Sequence, residues 1–240
     1  MLIDETLCIG CGQCVPYCPV KAISLDDVAC IDMDECVECG NCLRMADCPV
    51  DAISRQELEW PRSVRSILSD PLTIAVESGI SGRGTEEMKT NDVTGRFRRG
   101  EVGVGIEVGR PILGARFRDV EKVAMAVAGL GVEFEKINPT TSLMSDPKKG
   151  KFKEDILNEK VLSAILEFSV ALPRLPELFE ALKTVSREID TVFSLCLITR
   201  LEKDGSIPAE KTMRELGIWC APNGKNNVGL GRPLAREKEK

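Results

Sequence analysis

Two cysteine motifs near the N-terminus constrain the fold of this chain more than any other feature. Each motif has three cysteines at every third position and a fourth cysteine that directly precedes a proline. They comprise Cys8, Cys11, Cys14 and Cys18 in the first motif, and Cys36, Cys39, Cys42 and Cys48 in the second. Nine of the 11 cysteines lie between Cys8 and Cys48. Such crowding indicates either a disulfide scaffold or a metal site.

The surroundings of these cysteines favour metal. No secretory signal pattern precedes them and no apolar run approaches the length of a membrane span, so we expect a cytoplasmic chain with reduced thiols. The chain has no histidine, which excludes Rieske-type ligation and removes the commonest zinc ligand. Zinc ribbons use paired Cys-x-x-Cys units, whereas three cysteines at this spacing are typical of a loop around a cube of iron and sulfide.

The two motifs form an internal repeat. The seven residues 18–24 match residues 48–54 at six of seven positions. On these motifs, residues 1 to about 56 resemble the bacterial dicluster ferredoxins. The resemblance implies two [4Fe–4S] clusters with crossed ligation. Cluster I would use Cys8, Cys11, Cys14 and Cys48, and cluster II would use Cys36, Cys39, Cys42 and Cys18.

The second motif departs from the first in one respect. Five residues, 43–47, separate its last two cysteines, where the first motif has three. We expect the longer loop to change the local shape around the clusters, and with it their potentials, but not the number of ligands. Between the motifs, Cys30 falls outside the pattern on a short predicted strand, and we expect it to be a buried structural thiol.

Charge divides the chain into two chemically different parts. Residues 1–54 hold ten acids against two bases, a net charge of −8, whereas the remainder holds 28 acids and 30 bases. The overall acidity argues against nucleic acid as the main partner. The acidic part predicts docking to a basic surface. That surface would belong either to another protein or to this chain's own lysine loop at Lys148, Lys149, Lys151 and Lys153.

The C-terminal part shows the hydrophobic periodicities of an α/β domain. Alternation at residues 102–108 predicts a strand, and apolar positions from Val120 to Ala128 fall on one helical face, with Asp119 as N-cap and Gly129 or Gly131 as a stop. The same order recurs. We predict further strands at 132–137, 161–170 and 192–198, and a second helix that begins near Pro176. The repeated strand–helix–strand order favours a ferredoxin-like βαββαβ sandwich, a fold that does not itself identify a function.

The predicted architecture is therefore α+β in three segments. Residues 1–56 form the dicluster module, and residues 57–100 form a linker with a short helix, a strand at 72–76 and a glycine-rich loop at 78–84. Residues 101–240 form the sandwich domain, in which we expect Cys196 to lie in the core and residues 223–233 to form a loop.

These features predict electron transfer. The chain would be an iron–sulfur protein or oxidoreductase subunit of anaerobic metabolism, with an electron donor and an electron acceptor as protein partners. Its C-terminal domain would serve docking or assembly, and a homo-oligomer is compatible with the sequence. No catalytic constellation is visible outside the cysteines. The alternatives are a self-contained reductase, or a redox or metabolite sensor, with a ligand bound by the C-terminal domain.

Overall fold

The computed structural model describes residues 1–76, 79, 95–111 and 113–221. Residues 223–233 and all but one residue of the segment 78–84, both predicted as loops, lie outside this part. In chain order the first elements are β1 (Leu2–Ile3), β2 (Ile23–Leu25), β3 (Ala29–Ile31), α1 (Asn41–Met45), β4 (Ile53–Ser54) and α2 (Ser63–Ser69). They are followed by β5 (Glu101–Val108), β6 (Ala115–Arg116), α3 (Phe117–Ala128), β7 (Met144–Asp146), β8 (Lys151–Phe152), β9 (Lys160–Val161), β10 (Ala164–Ala171), α4 (Leu175–Val185), β11 (Phe193–Ile198) and α5 (Pro208–Glu215).

The N-terminal part is built twice from one local pattern. Strand β1 pairs antiparallel with β4, and β2 pairs antiparallel with β3. After each Cys-Pro pair the chain turns through a residue with positive φ, Lys21 at 55° and Asp51 at 51°, and reaches a buried alanine. A small core of apolar side chains, including Met1, Ile23 and Ile53, packs together with the cysteines.

A three-stranded antiparallel sheet with the order β10–β5–β11 forms the centre of the C-terminal part. The side chains of Val104 and Ile106 on β5 are fully buried, in one core cluster with side chains of α3 and α4. On the other face, Gly103 lies beneath the ring of Phe97, and a Cβ at this glycine would come within 2.6 Å of that ring. This close packing agrees with the absence of a side chain at position 103.

The strand predicted at 132–137 is a single antiparallel bridge between Phe134 and Phe168. The extended backbone ends because the Asn138 side chain accepts hydrogen bonds from the backbone N–H groups of Thr140 and Thr141, at 2.7 and 3.2 Å, which turns the chain. The main sheet therefore combines three long strands with one bridged residue. The described chain is mixed α+β.

Two other local predictions, a strand at 72–76 and an N-cap at Asp119, were wrong. Residues 72–76 form only a single β-bridge, at Ile74, because Asp70 caps the turn that follows it by accepting from the backbone N–H groups of Leu72 and Thr73, both at 3.1 Å. Helix α3 begins at Phe117, so Asp119 lies in its first turn and is not the N-cap, although Gly129 does end the helix. Pro176 lies in the first turn of α4 as predicted.

Cys30 and Cys196 are exposed, so the prediction that both are buried was wrong. Cys30 alternates with the buried Ala29 on a two-stranded sheet, and Cys196 pairs with Gly105 on the face of the main sheet that turns away from α3 and α4. Period-two alternation decides which side chains share a face, but not which face is covered.

Helix α2 joins the two parts of the chain. Its Val64 and Leu68 side chains are fully buried in the core of the C-terminal part, while Arg65 on the same helix reaches the N-terminal part. The backbone N–H of Leu162 donates to the hydroxyl of Ser69 at 2.8 Å, which fixes the end of the helix. None of the helices in the described ranges is both long and apolar enough to cross a membrane.

Candidate metal centre

The eight motif cysteines line two cavities. The first, called the first site below, is lined by Cys8, Cys11, Cys14 and Cys48, and the second site by Cys18, Cys36, Cys39 and Cys42. Each site thus combines the three cysteines of one motif with the Cys-Pro cysteine of the other. The cavities measure about 330 Å³ and 310 Å³ including the solvent at their open mouths, so the two sites are similar in extent.

Left-handed residues between the cysteines let each triplet wrap around its cavity. In the first site Gly10 and Gly12 have φ values of 67° and 71°, and in the second site Glu38 and Gly40 have 56° and 69°. A Cβ at Gly10 would lie 2.3 Å from the carbonyl oxygen of Asp27, so only glycine fits there without displacing the backbone. The same curvature therefore arises at equivalent positions of both motifs.

Backbone amides point at three of the cysteine sulfurs. The N–H of Ala22 donates to Cys18 Sγ at 3.1 Å, and the N–H of Ala52 donates to the equivalent Cys48 Sγ at 3.4 Å. The N–H of Ala29 donates to Cys8 Sγ at 3.4 Å. Hydrogen bonds to ligand sulfurs stabilise negative charge on them and are one of the means by which a protein sets the potential of an iron–sulfur cluster.

Three thiols of the second site have raised pKa values. Burial raises the pKa of Cys36 and Cys39, and it raises the pKa of Cys42 to about 11, with the neighbouring thiolates of Cys39 and Cys36 adding to the effect. Burial also raises the pKa of Cys14 in the first site. Four thiolates in so small a space require a compensating cationic centre, and coordination to a metal deprotonates a thiol outright.

The spacing of the donors distinguishes a single metal ion from a larger group. Four sulfurs around one zinc, each about 2.3 Å from the ion, would lie about 3.8 Å from one another. Within the described part of the chain, no three Cys, Asp or Glu side chains come close enough together to hold a single ion. Four soft sulfur donors around a wider cavity suit an iron–sulfur cluster better than zinc.

Arginines surround the second site, and the sequence reasoning did not find them. The buried guanidinium of Arg65 donates to the carbonyl oxygens of Met33, Asp34 and Cys36 at 3.1, 2.8 and 2.7 Å, and it also pairs with Glu159 of the C-terminal part. Arg62 and the amino group of Met1 hold Glu38, a residue with positive φ. Its buried carboxylate accepts from Arg62 at 2.6 and 2.9 Å and from Met1. In the sequence, Arg62 and Arg65 follow the acidic module but are preceded by Glu57 and Glu59, so the charge pattern does not single them out.

The lysine loop does not hold the N-terminal module. Its Lys151 pairs with Glu121 at 3.0 Å, and Lys153 lies over the Trp60 ring at 4.9 Å from its centroid. The module's acids pair instead with other bases, as Arg116 contacts Asp34 at 2.6 Å and Glu35 at 2.7 Å, while Lys160 also pairs with Glu35. Among the described residues no lysine of the loop forms an ion pair with the module, so the prediction of docking to this chain's own loop was wrong.

Comparison with known proteins gives matches to the cysteine-rich part. The sequence model of the family described as 4Fe-4S binding domain matches residues 1–24. A ferredoxin of Pyrobaculum islandicum is 35% identical over 65 residues, which cover 26% of this chain and 59% of that protein. The pyruvate synthase subunit PorD of Methanothermobacter marburgensis is 37% identical over 54 residues (22% and 62%), and Ferredoxin-1 of Rhodobacter capsulatus is 48% identical over 40 residues (16% and 62%). The chain thus spans about three fifths of the length of these relatives. No solved structure matches the chain.

Proposed function

Because the N-terminal region of this chain is of the 4Fe–4S ferredoxin type, we propose that the chain transfers electrons one at a time through two [4Fe–4S] clusters. Cluster I would be held by Cys8, Cys11, Cys14 and Cys48, and cluster II by Cys36, Cys39, Cys42 and Cys18. The observation that carries this proposal is the exchange of Cys-Pro cysteines between the two motifs, which gives each cavity four sulfur donors.

The residues of the chain would hold and tune the clusters. The clusters themselves supply reversible one-electron chemistry when bound. Eight thiolates hold them in place, and the N–H groups of Ala22, Ala29 and Ala52 stabilise negative charge on three of these sulfurs. Electron transfer requires no substrate pocket, only close approach of a partner, and Cys11 in the first site is exposed.

We further propose that the chain serves a partner oxidoreductase, either as a separate carrier or as a subunit. One relative of the cysteine-rich part is named a pyruvate synthase subunit and two others are named ferredoxins, which supports both forms of this role. The net charge of −8 in residues 1–54 favours a donor and an acceptor with basic docking surfaces. Such complementarity mainly speeds the encounter, so electron transfer would slow as salt increases.

For the rest of the chain we propose a ferredoxin-like βαββαβ sandwich from residue 101 onward that serves docking or assembly, after a module at 1–56 and a connecting segment at 57–100. The sheet order β10–β5–β11, with Phe134 bridged to the outer side of β10, is the order that this fold would have. Helix α2 lies in the connecting segment, but it packs into the core of the sandwich.

The test is the metal content of the full chain purified without oxygen. We expect about eight iron and about eight acid-labile sulfide atoms per chain, from two clusters of four irons each. Cys48→Ala should damage cluster I and Cys18→Ala cluster II, with Cys30→Ala as a matched control that loses no iron. A colourless, zinc-loaded protein would overturn the proposal. A pattern in which Cys18→Ala damages the same cluster as Cys8→Ala would overturn the crossed ligation alone.

A further inference from the structure

Equivalent positions in the two motifs have different surroundings. Gly12 follows Cys11 and Gly40 follows Cys39, and both have φ near 70°. A Cβ at Gly12 would lie 2.9 Å from a methyl group of Leu25, whereas a Cβ at Gly40 would lie 2.6 Å from Nη1 of Arg44 and 2.9 Å from Nη2 of Arg55. The first site is thus bordered by a hydrocarbon side chain at the point where two guanidinium groups border the second site.

Arg44 is held against the backbone of the second site. Its Nη2 donates to the carbonyl oxygen of Cys39 at 2.6 Å, and its Nη1 donates to Asp70 at 3.2 Å. Asp70 is fully buried and also accepts from Arg55 at 2.6 Å, so it fixes both guanidinium groups. Arg44 lies on helix α1, in the segment 43–47 that makes the second motif longer than the first.

Arg65 brings a second cation to the same site from helix α2. Its side chain is only 4% exposed, and among its three carbonyl acceptors is that of the ligand candidate Cys36, at 2.7 Å. The carboxylate of Glu159 partly balances this charge, as Asp70 does for Arg44. In both cases the guanidinium donates to the acid and also to the carbonyl oxygen of a cysteine, so the cation directly contacts the backbone of the site.

The first site lacks this arrangement. Within the described residues, no Arg or Lys side chain donates to the carbonyl oxygen of Cys8, Cys11, Cys14 or Cys48. Reduction adds one negative charge to a cluster, and donors or cations that already point at the site stabilise that charge. Burial by itself disfavours the added charge, but it also strengthens the attraction to a fixed cation, because water and salt screen a buried charge less than an exposed one.

We propose that Arg44 and Arg65 make the cluster at the second site easier to reduce than the cluster at the first site. This inference rests on the proposed function. One electron would pass from the reduced cluster I to the oxidised cluster II, so that the first is oxidised and the second reduced, with no proton or bond exchanged. An electron that enters at the exposed first site would then come to rest at the second, beside the C-terminal part.

The test is a reductive titration of the anaerobic full chain, followed by electron paramagnetic resonance. We expect two separate one-electron steps. Arg44→Gln should lower the potential of the first-reduced cluster alone, and reduce its ratio of reduced to oxidised form about tenfold at a fixed potential, equivalent to about 59 mV for one electron. Arg55→Gln is the matched comparison and should lower that potential less, since Arg55 borders the site and pairs with the same Asp70 but, among the described residues, makes no hydrogen bond to the cysteine backbone.

Each outcome has a distinct meaning. Two clusters that titrate at one potential, a shift in the later step, or an equal shift from Arg55→Gln would overturn the assignment to Arg44. Arg65→Lys should lower the same step, because it keeps the charge but loses the fork of donors. If that variant fails to retain iron, the partly exposed Arg44 still decides the question. A wild-type chain without iron and sulfide would instead overturn the proposed function itself.

Discussion

The two cysteine sites begin from the same sequence pattern and end in different environments. Ile9 of the first motif is 63% exposed, whereas Val37, its equivalent in the second motif, is 1% exposed. Cys11 is exposed and its equivalent Cys39 is buried. The difference arises because α2 and the C-terminal part pack against the second motif and leave the first open. A repeat in sequence therefore does not imply equivalent chemistry, since long-range packing gives each copy its own surroundings.

The largest expected effect on stability comes from removing Arg65, the buried arginine that contacts both parts of the chain. Arg65→Ala would leave Glu159 and three carbonyl groups without their donor, and loss of one partner from a buried ion pair costs about 3–5 kcal/mol. We expect the Tm of the full chain to fall by about 10 °C, with iron lost first from the second site. Arg118→Ala, at an exposed position on α3, should change Tm little. An unchanged Tm in Arg65→Ala would show that the contact does not support the second site.

A smaller effect should come from the curvature of the first site. Gly10→Ala forces a side chain into the left-handed region and against the Asp27 carbonyl, and we expect a loss of about 2–3 kcal/mol with iron lost only from the first site. Gly131→Ala is the matched control, because Gly131 also has φ near 70° but no atom lies within 4 Å of the added Cβ. It should cost about 1–2 kcal/mol and leave iron content unchanged. Equal losses in both variants would contradict the role of the contact with Asp27.

The smallest effect concerns surface charge at the junction. Just before the second cysteine motif, a hydrogen bond from Arg116 and its charge lower the pKa of Asp34. Just before the first motif, a hydrogen bond from Thr6 lowers the pKa of Asp4. Arg116→Ala should raise the pKa of Asp34 toward its ordinary value and leave that of Asp4 unchanged, as measured by carbon NMR of the carboxyl groups. A pKa depressed by folding adds stability above the unfolded value, and this stability is lost as pH falls through the folded value. Because Asp34 is largely exposed, the gain should stay below about 1 kcal/mol.

How far the sequence predicted this structure depended on the range of the interactions. The alternation along β5 is a local signal, and the strand formed as expected. The spacing of the cysteines is local as well, and the three cysteines of each triplet line one cavity. The contact between Arg65 and Cys36 joins residues 29 positions apart, and that between Arg65 and Glu159 joins residues 94 apart. No periodicity encodes such pairs. The end of the extended chain at Asn138 also depended on a side chain that accepts from its own backbone, which the apolar pattern of 132–137 does not reveal.

Helix α2 has a consequence for how this protein could have evolved. Seven residues carry Val64 and Leu68 into one core and Arg65 to the backbone of the other part, so a substitution in this helix acts on both. A ferredoxin-type region that is joined in this way cannot be exchanged for a homologous one as an independent module. The second half of a replacement region would need carbonyl groups and acids at the positions where Arg65 and Arg116 bind them. Selection should therefore preserve the two parts together, although their net charges differ.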